Sequence, residues 1–202
     1  MNIDELQTGD ILLISDYQTG LFNLFLSMIR YGTHSDYVHV AIVLRDPTYI
    51  NEKLKGIYIW ESGYEGTPDP DDGEIKLGVQ LTPIDTFIKN YETANVFVRK
   101  LNDYSAFYDE NIKKAYNLSY DKPYNINPRD WIYALFQKNP HPQQTSSFWC
   151  SAFVGYIFVY LGILQSDTDW SIMRPCDFAL DGENLNYIGT TKLLDWETKL
   201  NL

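Results

Sequence analysis

Short apolar runs with strand character fill the first half of the chain, and longer runs with helical spacing fill the second. Gly9-Asp10 marks a turn, and Ile11-Leu12-Leu13-Ile14 follows as a short buried strand. Leu21, Leu24, Phe25, Met28 and Ile29 recur at helical spacing, which predicts a helix over Leu21 to Tyr31 ended by Gly32. Val38 to Leu44 is β-branched and apolar and predicts a strand. Further strands are expected at Gly56 to Trp60, Val79 to Thr82 and Asn95 to Leu101, with a short helix opened by Pro83. Gly63 to Gly78 is rich in Gly, Pro and acid and reads as a surface loop. Beyond residue 105 the pattern turns helical. Helices are expected over Asp109 to Tyr120, over Trp131 to Phe136, from a Ser146 or Ser147 cap to about Leu161, and near Leu193 to Leu200. Strands in the middle and helices toward the end give an α+β class, a small antiparallel sheet packed against helices. No linker or internal repeat interrupts the pattern, so residues 1–202 are read as one domain.

Composition narrows the partners. An apolar share of 45% can supply a core, and 15% of residues are aromatic. Sixteen Lys and Arg against 27 Asp and Glu give a net charge of −11, without the basic patch that nucleic-acid binding or an anionic membrane surface calls for. The longest apolar stretch, Phe148 to Leu164, is shorter than the ~20 residues of a membrane span and holds Ser151, Gly155 and Gly162. The N-terminus has no secretion-signal pattern, so the expected location is the cytoplasm, a host's cytoplasm if the protein is viral. The two cysteines, Cys150 and Cys176, form neither a disulfide ladder nor a zinc-type pair. A phosphate loop and a dinucleotide fingerprint are also missing, so no cofactor or metal is expected.

Three residues carry the candidate chemistry. Cys150 is expected about three residues inside its helix, where free N–H groups and the helix dipole stabilise a thiolate and can receive an oxyanion. Taken alone, it reads rather as a small core residue on a very apolar helix; His39 and Glu61 change that balance. His39 sits in the strand Val38 to Leu44, among residues that give an imidazole no reason to be there. Glu61 follows the strand that ends at Trp60. If the two strands pair antiparallel with Leu44 facing Gly56, His39 stands opposite Glu61, ~5 Å apart at Cβ. A carboxylate there orients the imidazole and stabilises its charged form. Asp36, in the loop before the histidine strand, competes with Glu61 for that role. Cys176 and Asp10 read as structural turn residues, and Asp69 to Glu74 as a solvated acidic loop without calcium-loop spacing.

The order His, Glu, Cys and its spacing resemble a known family. Gly9-Asp10-Ile11-Leu12-Leu13 is similar to the opening strand of NlpC-superfamily proteins. Ser35-Asp36-Tyr37-Val38-His39-Val40-Ala41-Ile42-Val43 resembles their histidine strand, and Trp60-Glu61-Ser62 the glutamate strand of the YiiX-like branch. Cys150-Ser151-Ala152-Phe153-Val154 resembles their cysteine helix, and Pro175-Cys176-Asp177-Phe178 a later turn. Each motif is short; their order over residues 9 to about 180 carries the likeness. The resemblance implies a circularly permuted papain-like fold, of a kind found in bacteria and in large DNA viruses such as poxviruses. It implies a thiol hydrolase with Cys150 as nucleophile, His39 as base and Glu61 as third residue. The expected substrate is a peptide, lipid or other acyl compound whose amide, ester or thioester bond is cleaved through an acyl-enzyme. An acyltransferase of the same fold is the nearest rival, and a non-enzymatic binding or structural protein that retains the fold is a third class. Neither substrate identity nor oligomeric state is encoded legibly.

Overall fold

The runs of Val, Ile and Leu dictate a sheet, and two of them are apolar at consecutive positions, which suits strands covered on both faces. The computed structural model describes residues 1–15, 35–127, 145–180, 182 and 185–201. The expected helices over Leu21 to Tyr31 and Trp131 to Phe136, most of the Asn139 to Thr145 loop, His34 and His141 lie outside the described residues. The described residues have an α+β architecture. Strands β1 (Ile11–Ser15), β2 (Tyr37–Arg45), β3 (Ile57–Gly63), β4 (Gly78–Pro83), β5 (Asn95–Arg99) and β6 (Thr198–Lys199) form an antiparallel sheet in the order β4-β3-β2-β1-β5-β6. Helices α1 (Ile84–Asn90), α2 (Asp109–Ser119) and α3 (Cys150–Tyr160) complete it.

The apolar strands β1 and β2 occupy the centre, where alternate residues serve two cores. Leu13, Ile42 and Trp60 pack with Ile112 of α2 and with Phe153 and Phe158 of α3. Leu12, Ala41, Val43 and Ile59 face the other way, toward Phe87 of α1 and Tyr91 just beyond it. Between Ile14 and Ser15 the register of β1 with β2 shifts, from Ile14↔His39 to Ser15↔Tyr37, leaving Val38 as the extra residue. The bulge re-aims the strand: Tyr37 packs against the α2–α3 core, while the His39 ring stacks on Tyr91, centroids 6.0 Å apart.

Two expectations are corrected. Helix α3 begins at Cys150, about three residues later than a serine cap predicts, and its N-cap is Trp149, without a side-chain capping bond. The cause is that Phe148 is held extended: its N–H donates to the Pro123 carbonyl at 3.0 Å, and its carbonyl accepts from Asn125 N–H at 3.0 Å and Ser62 Oγ at 2.8 Å. Those bonds leave no helical role for the residues before it. At the other end of α3 the expected glycine stop is present. Gly162 at φ 70° bonds back to Val159, and Ile163 to Phe158, closing the last turn. The second correction is Leu193 to Leu200, which is no helix. Leu193 bridges Leu101, Thr198–Lys199 pair with β5, and the Leu194 carbonyl accepts from the buried Arg99 guanidinium. Arg99 also takes the carbonyls of Phe178 and Ala179. A buried guanidinium needs acceptors, and backbone that supplies them is not free to form its own helical bonds.

Candidate active site

Pairing of β2 with β3 runs from Arg45↔Ile57 to Ile42↔Trp60. Leu44 therefore faces Tyr58, not Gly56, and the register expected from the sequence is displaced by two residues. Asp46 causes the displacement. It adopts φ 47° and closes the loop itself, its N–H donating to the Gly56 carbonyl and its Oδ1 accepting from Gly56 N–H, each at 2.7 Å. A side-chain period of two makes an even shift harmless to facing. His39 and Glu61 stay on one face as a diagonal pair, and His39 Nε2 lies 2.7 Å from Glu61 Oε2. Glu61 lies inside β3, not at its end, and is fully buried. Its other oxygen, Oε1, accepts from Thr82 Oγ1 on β4 at 2.7 Å. Asp36 is exposed; Glu61 is the carboxylate at the imidazole.

Cys150 is buried and is the first residue of α3. The N–H groups of Cys150, Ser151 and Ala152 precede the first intrahelical bond, Phe153 N–H to the Trp149 carbonyl, and so have no helical acceptor. Trp149 Nε1 and Ser151 Oγ both donate to the Met173 carbonyl, at 3.1 and 2.7 Å, which fixes this end of the helix. The thiol stands beside His39. Burial works to lower the pKa of that imidazole, but the charge of the Cys150 sulfur, its hydrogen bonding and the Glu61 carboxylate together hold it well above its usual value. The structure thus brings Cys150, His39 and Glu61 together from three separate segments. Cys176, by contrast, lies in the one-turn segment Pro175–Phe178, half-buried, and Asp10 is a buried anchor for Gln7 N–H, Lys100 and Tyr104.

Three further residues adjoin the site without a motif to announce them. Glu65 lies just past β3. Burial and the Glu61 charge push its carboxyl up to about 7, against hydrogen bonds from Asn90 and Tyr91 and the charge of His39. Tyr124 neighbours Cys150; burial and the sulfur's charge keep its phenol neutral, above its usual range. Gln80 is directly opposite Glu61 in the register of β3 with β4, is 2% exposed, and its Nε2 has no hydrogen-bond partner among the described residues. Register reveals Gln80, and only the folded chain reveals the other two.

The site's frame is largely backbone. Gly78, at φ 154°, bridges Pro123, and a Cβ there would stand 2.2 Å from the Lys122 carbonyl oxygen. Tyr124 in turn bridges Phe148, two residues before Cys150. No helix of the described residues is long and apolar enough to cross a membrane. No family model matches this chain, and neither does any curated protein.

A thiol, an imidazole and a carboxylate in that order have the parts for nucleophilic catalysis: a sulfur nucleophile, a base to take its proton and an anion to hold the base.

Proposed function

We propose that the chain is a thiol hydrolase of the permuted papain-like kind, a member of the YiiX-like branch of the NlpC superfamily, that cleaves an amide, ester or thioester bond. The observation that carries this reading is the 2.7 Å contact of His39 Nε2 with the buried Glu61, beside a cysteine that opens a helix. With Nε2 committed to Glu61, Nδ1 is the nitrogen left to take the Cys150 proton. The thiolate attacks the acyl carbon, and the free N–H groups at the start of α3 receive the oxyanion. The leaving group departs with the proton from His39, and a thioester forms on Cys150. Water then gives a proton to His39 and attacks the thioester carbonyl. The acid leaves, and the sulfur recovers its proton from the imidazole. Glu61 holds the ring and stabilises its positive charge through both halves.

Iodoacetamide labelling from about pH 5 to about pH 9 tests the reading, with Cys150 followed in wild type, His39→Ala and Glu61→Gln, against the ~8.5 at which a free thiol ionises. Labelling of Cys150 that persists well into the acid range and is lost in His39→Ala supports the hydrolase. A Cys150 that ignores the identity of residue 39 removes the nucleophile from the scheme.

A further inference from the structure

Glu65 is the acidic group of the site that this chemistry leaves without a task. Its carboxyl is anchored from one side: Asn90 Nδ2 donates to Oε2 at 2.6 Å and the Tyr91 hydroxyl to Oε1 at 3.2 Å. Asn90 also donates to the Glu65 carbonyl at 3.2 Å. Tyr91 stacks on His39, so the residue that steers Glu65 also borders the imidazole. What the carboxyl lacks is a permanent cation. Asp10 has Lys100, Asp69 has Lys76 and Asp177 has Arg174, whereas among the described residues no Lys or Arg pairs with Glu65.

Between Glu65 and the triad the chain carries a glycine. The point where a Cβ on Gly63 would stand is 3.6 Å from His39 Cε1, 3.7 Å from Glu61 Oε2 and 3.8 Å from Glu65 Oε1. The missing side chain leaves a notch of about methyl size, with the imidazole on one side and two carboxyl groups around it. Glu61 is already matched by His39, so an anionic group entering the notch meets the uncompensated charge of Glu65 wherever that carboxyl is ionised. A neutral group leaves Glu65 without a counter-charge, so that it either ionises at a cost or keeps its proton up to about 7. A positive group cancels that cost, and the net charge of −11 adds long-range attraction of the same sign.

We propose that Glu65 is a specificity-determining residue, and that the notch at Gly63 receives an ammonium group carried by the acyl substrate close to the bond that Cys150 attacks. The proposal rests on Cys150 being the nucleophile. Neither the substrate nor its turnover is needed for the test, because Cys150 itself reports the charge around it. Three methanethiosulfonates of similar size are compared at about pH 8: a trimethylammonium-ethyl, a neutral ethyl and a sulfonato-ethyl reagent. Modification is read on the Cys150 peptide by mass, and each rate is divided by that reagent's rate with a small free thiol. The cation-to-anion ratio is expected to fall about three- to tenfold in Glu65→Gln, the size of one partly screened charge within several ångströms. Asp195→Asn removes an equal charge from an exposed side chain that pairs with Lys192 and is expected to keep the wild-type ratio. A ratio unchanged in Glu65→Gln, or changed as much by Asp195→Asn, overturns the proposal while leaving the hydrolase standing. A wild-type preference for the anionic reagent overturns it without any variant. A Cys150 that resists all three reagents ends both readings.

Discussion

Glu61 and Asp69 are both buried carboxylates that reach β4, and they are satisfied in opposite ways. Asp69 takes fixed donors: the N–H groups of Leu81 and Asp71, at 3.0 and 2.9 Å, and the buried Lys76 ammonium at 3.3 Å. Lys76 also pairs with Asp72 at 2.5 Å and lies over the Tyr120 ring. The effect of that arrangement is to tie down the Gly63 to Gly78 loop, which is therefore no freely solvated segment. Glu61 instead takes one hydroxyl, Thr82, and one imidazole, His39, whose charge is variable. The same problem, a carboxylate without water, is solved once for stability and once for proton traffic. The difference lies in the partner's ability to titrate, not in burial.

Five substitutions separate these roles. The largest effect is expected from Glu61→Gln, which keeps a partner for Thr82 but cannot stabilise an imidazolium. Turnover, once a substrate is found, should fall about 10²–10⁴-fold, the usual worth of positioned acid–base help. Asp69→Asn should leave Cys150 as reactive as before in the folded fraction; equal losses in both variants would dissolve the distinction. Next is Lys76→Met, which strands Asp69 and should cost about 3 kcal/mol by urea denaturation, with Cys150 labelling below the transition unchanged.

Third is a pH effect at Glu65. Its folded carboxyl binds a proton up to about 7, whereas in the unfolded chain it lets go near its ordinary 4.5. The folded state therefore holds the extra proton between those values, and this residue's contribution to stability falls as pH rises through that window and stays low above it. Glu65→Gln cannot lose a proton, so its melting temperature relative to wild type should climb from pH 4.5 to above 7, by the equivalent of up to about 3 kcal/mol. A flat difference would contradict the burial of that carboxyl. His39 titrates in the neighbouring range with the same sign: its raised pKa stabilises the fold below about 6.5, and that contribution fades as pH passes the raised value. The two groups interact, so the difference between the two proteins reads their joint titration, with Glu65 as the group removed. The smallest effect is expected from Ser62→Ala. Loss of the bond to the Phe148 carbonyl should cost about 1 kcal/mol and lower the Cys150 labelling rate, because it loosens the segment that delivers the thiol.

The central strands β1 and β2 were legible because burial on two faces writes itself as near-continuous Val, Ile and Leu, and β3, β4 and β5 because Val, Ile and Leu recur there at alternate positions. His39, Glu61 and Cys150 were legible because polar or reactive types stand out against that background. What the sequence hid is what long-range bonding decides. The start of α3 is set by Phe148 bonding to Pro123, Asn125 and Ser62, and local serines cannot report that. The register of β2 with β3 is set by a left-handed Asp46, which no hydrophobic pattern encodes. Residues Leu193 to Leu200 look helical by spacing but are recruited by the edge of β5 and by Arg99. Glu65 lay hidden for a related reason: an acid in an acidic loop is unremarkable until Asn90 and Tyr91 are brought to it.

The backbone bridges from Gly78 through Pro123 and Tyr124 to Phe148 have a consequence for assembly. The base and its carboxylate sit on adjacent strands and can form early, from a chain synthesised only as far as β4. The thiol cannot, since Ser62 and Phe148 that dock its helix are 86 positions apart and that closure is among the slower events of folding. If Cys150 is the activated thiol proposed above, a nascent or locally unfolded molecule carries an ordinary, sluggish cysteine, and its reactivity waits on the closure of that contact. On that reading its labelling rate reports the docking of α3.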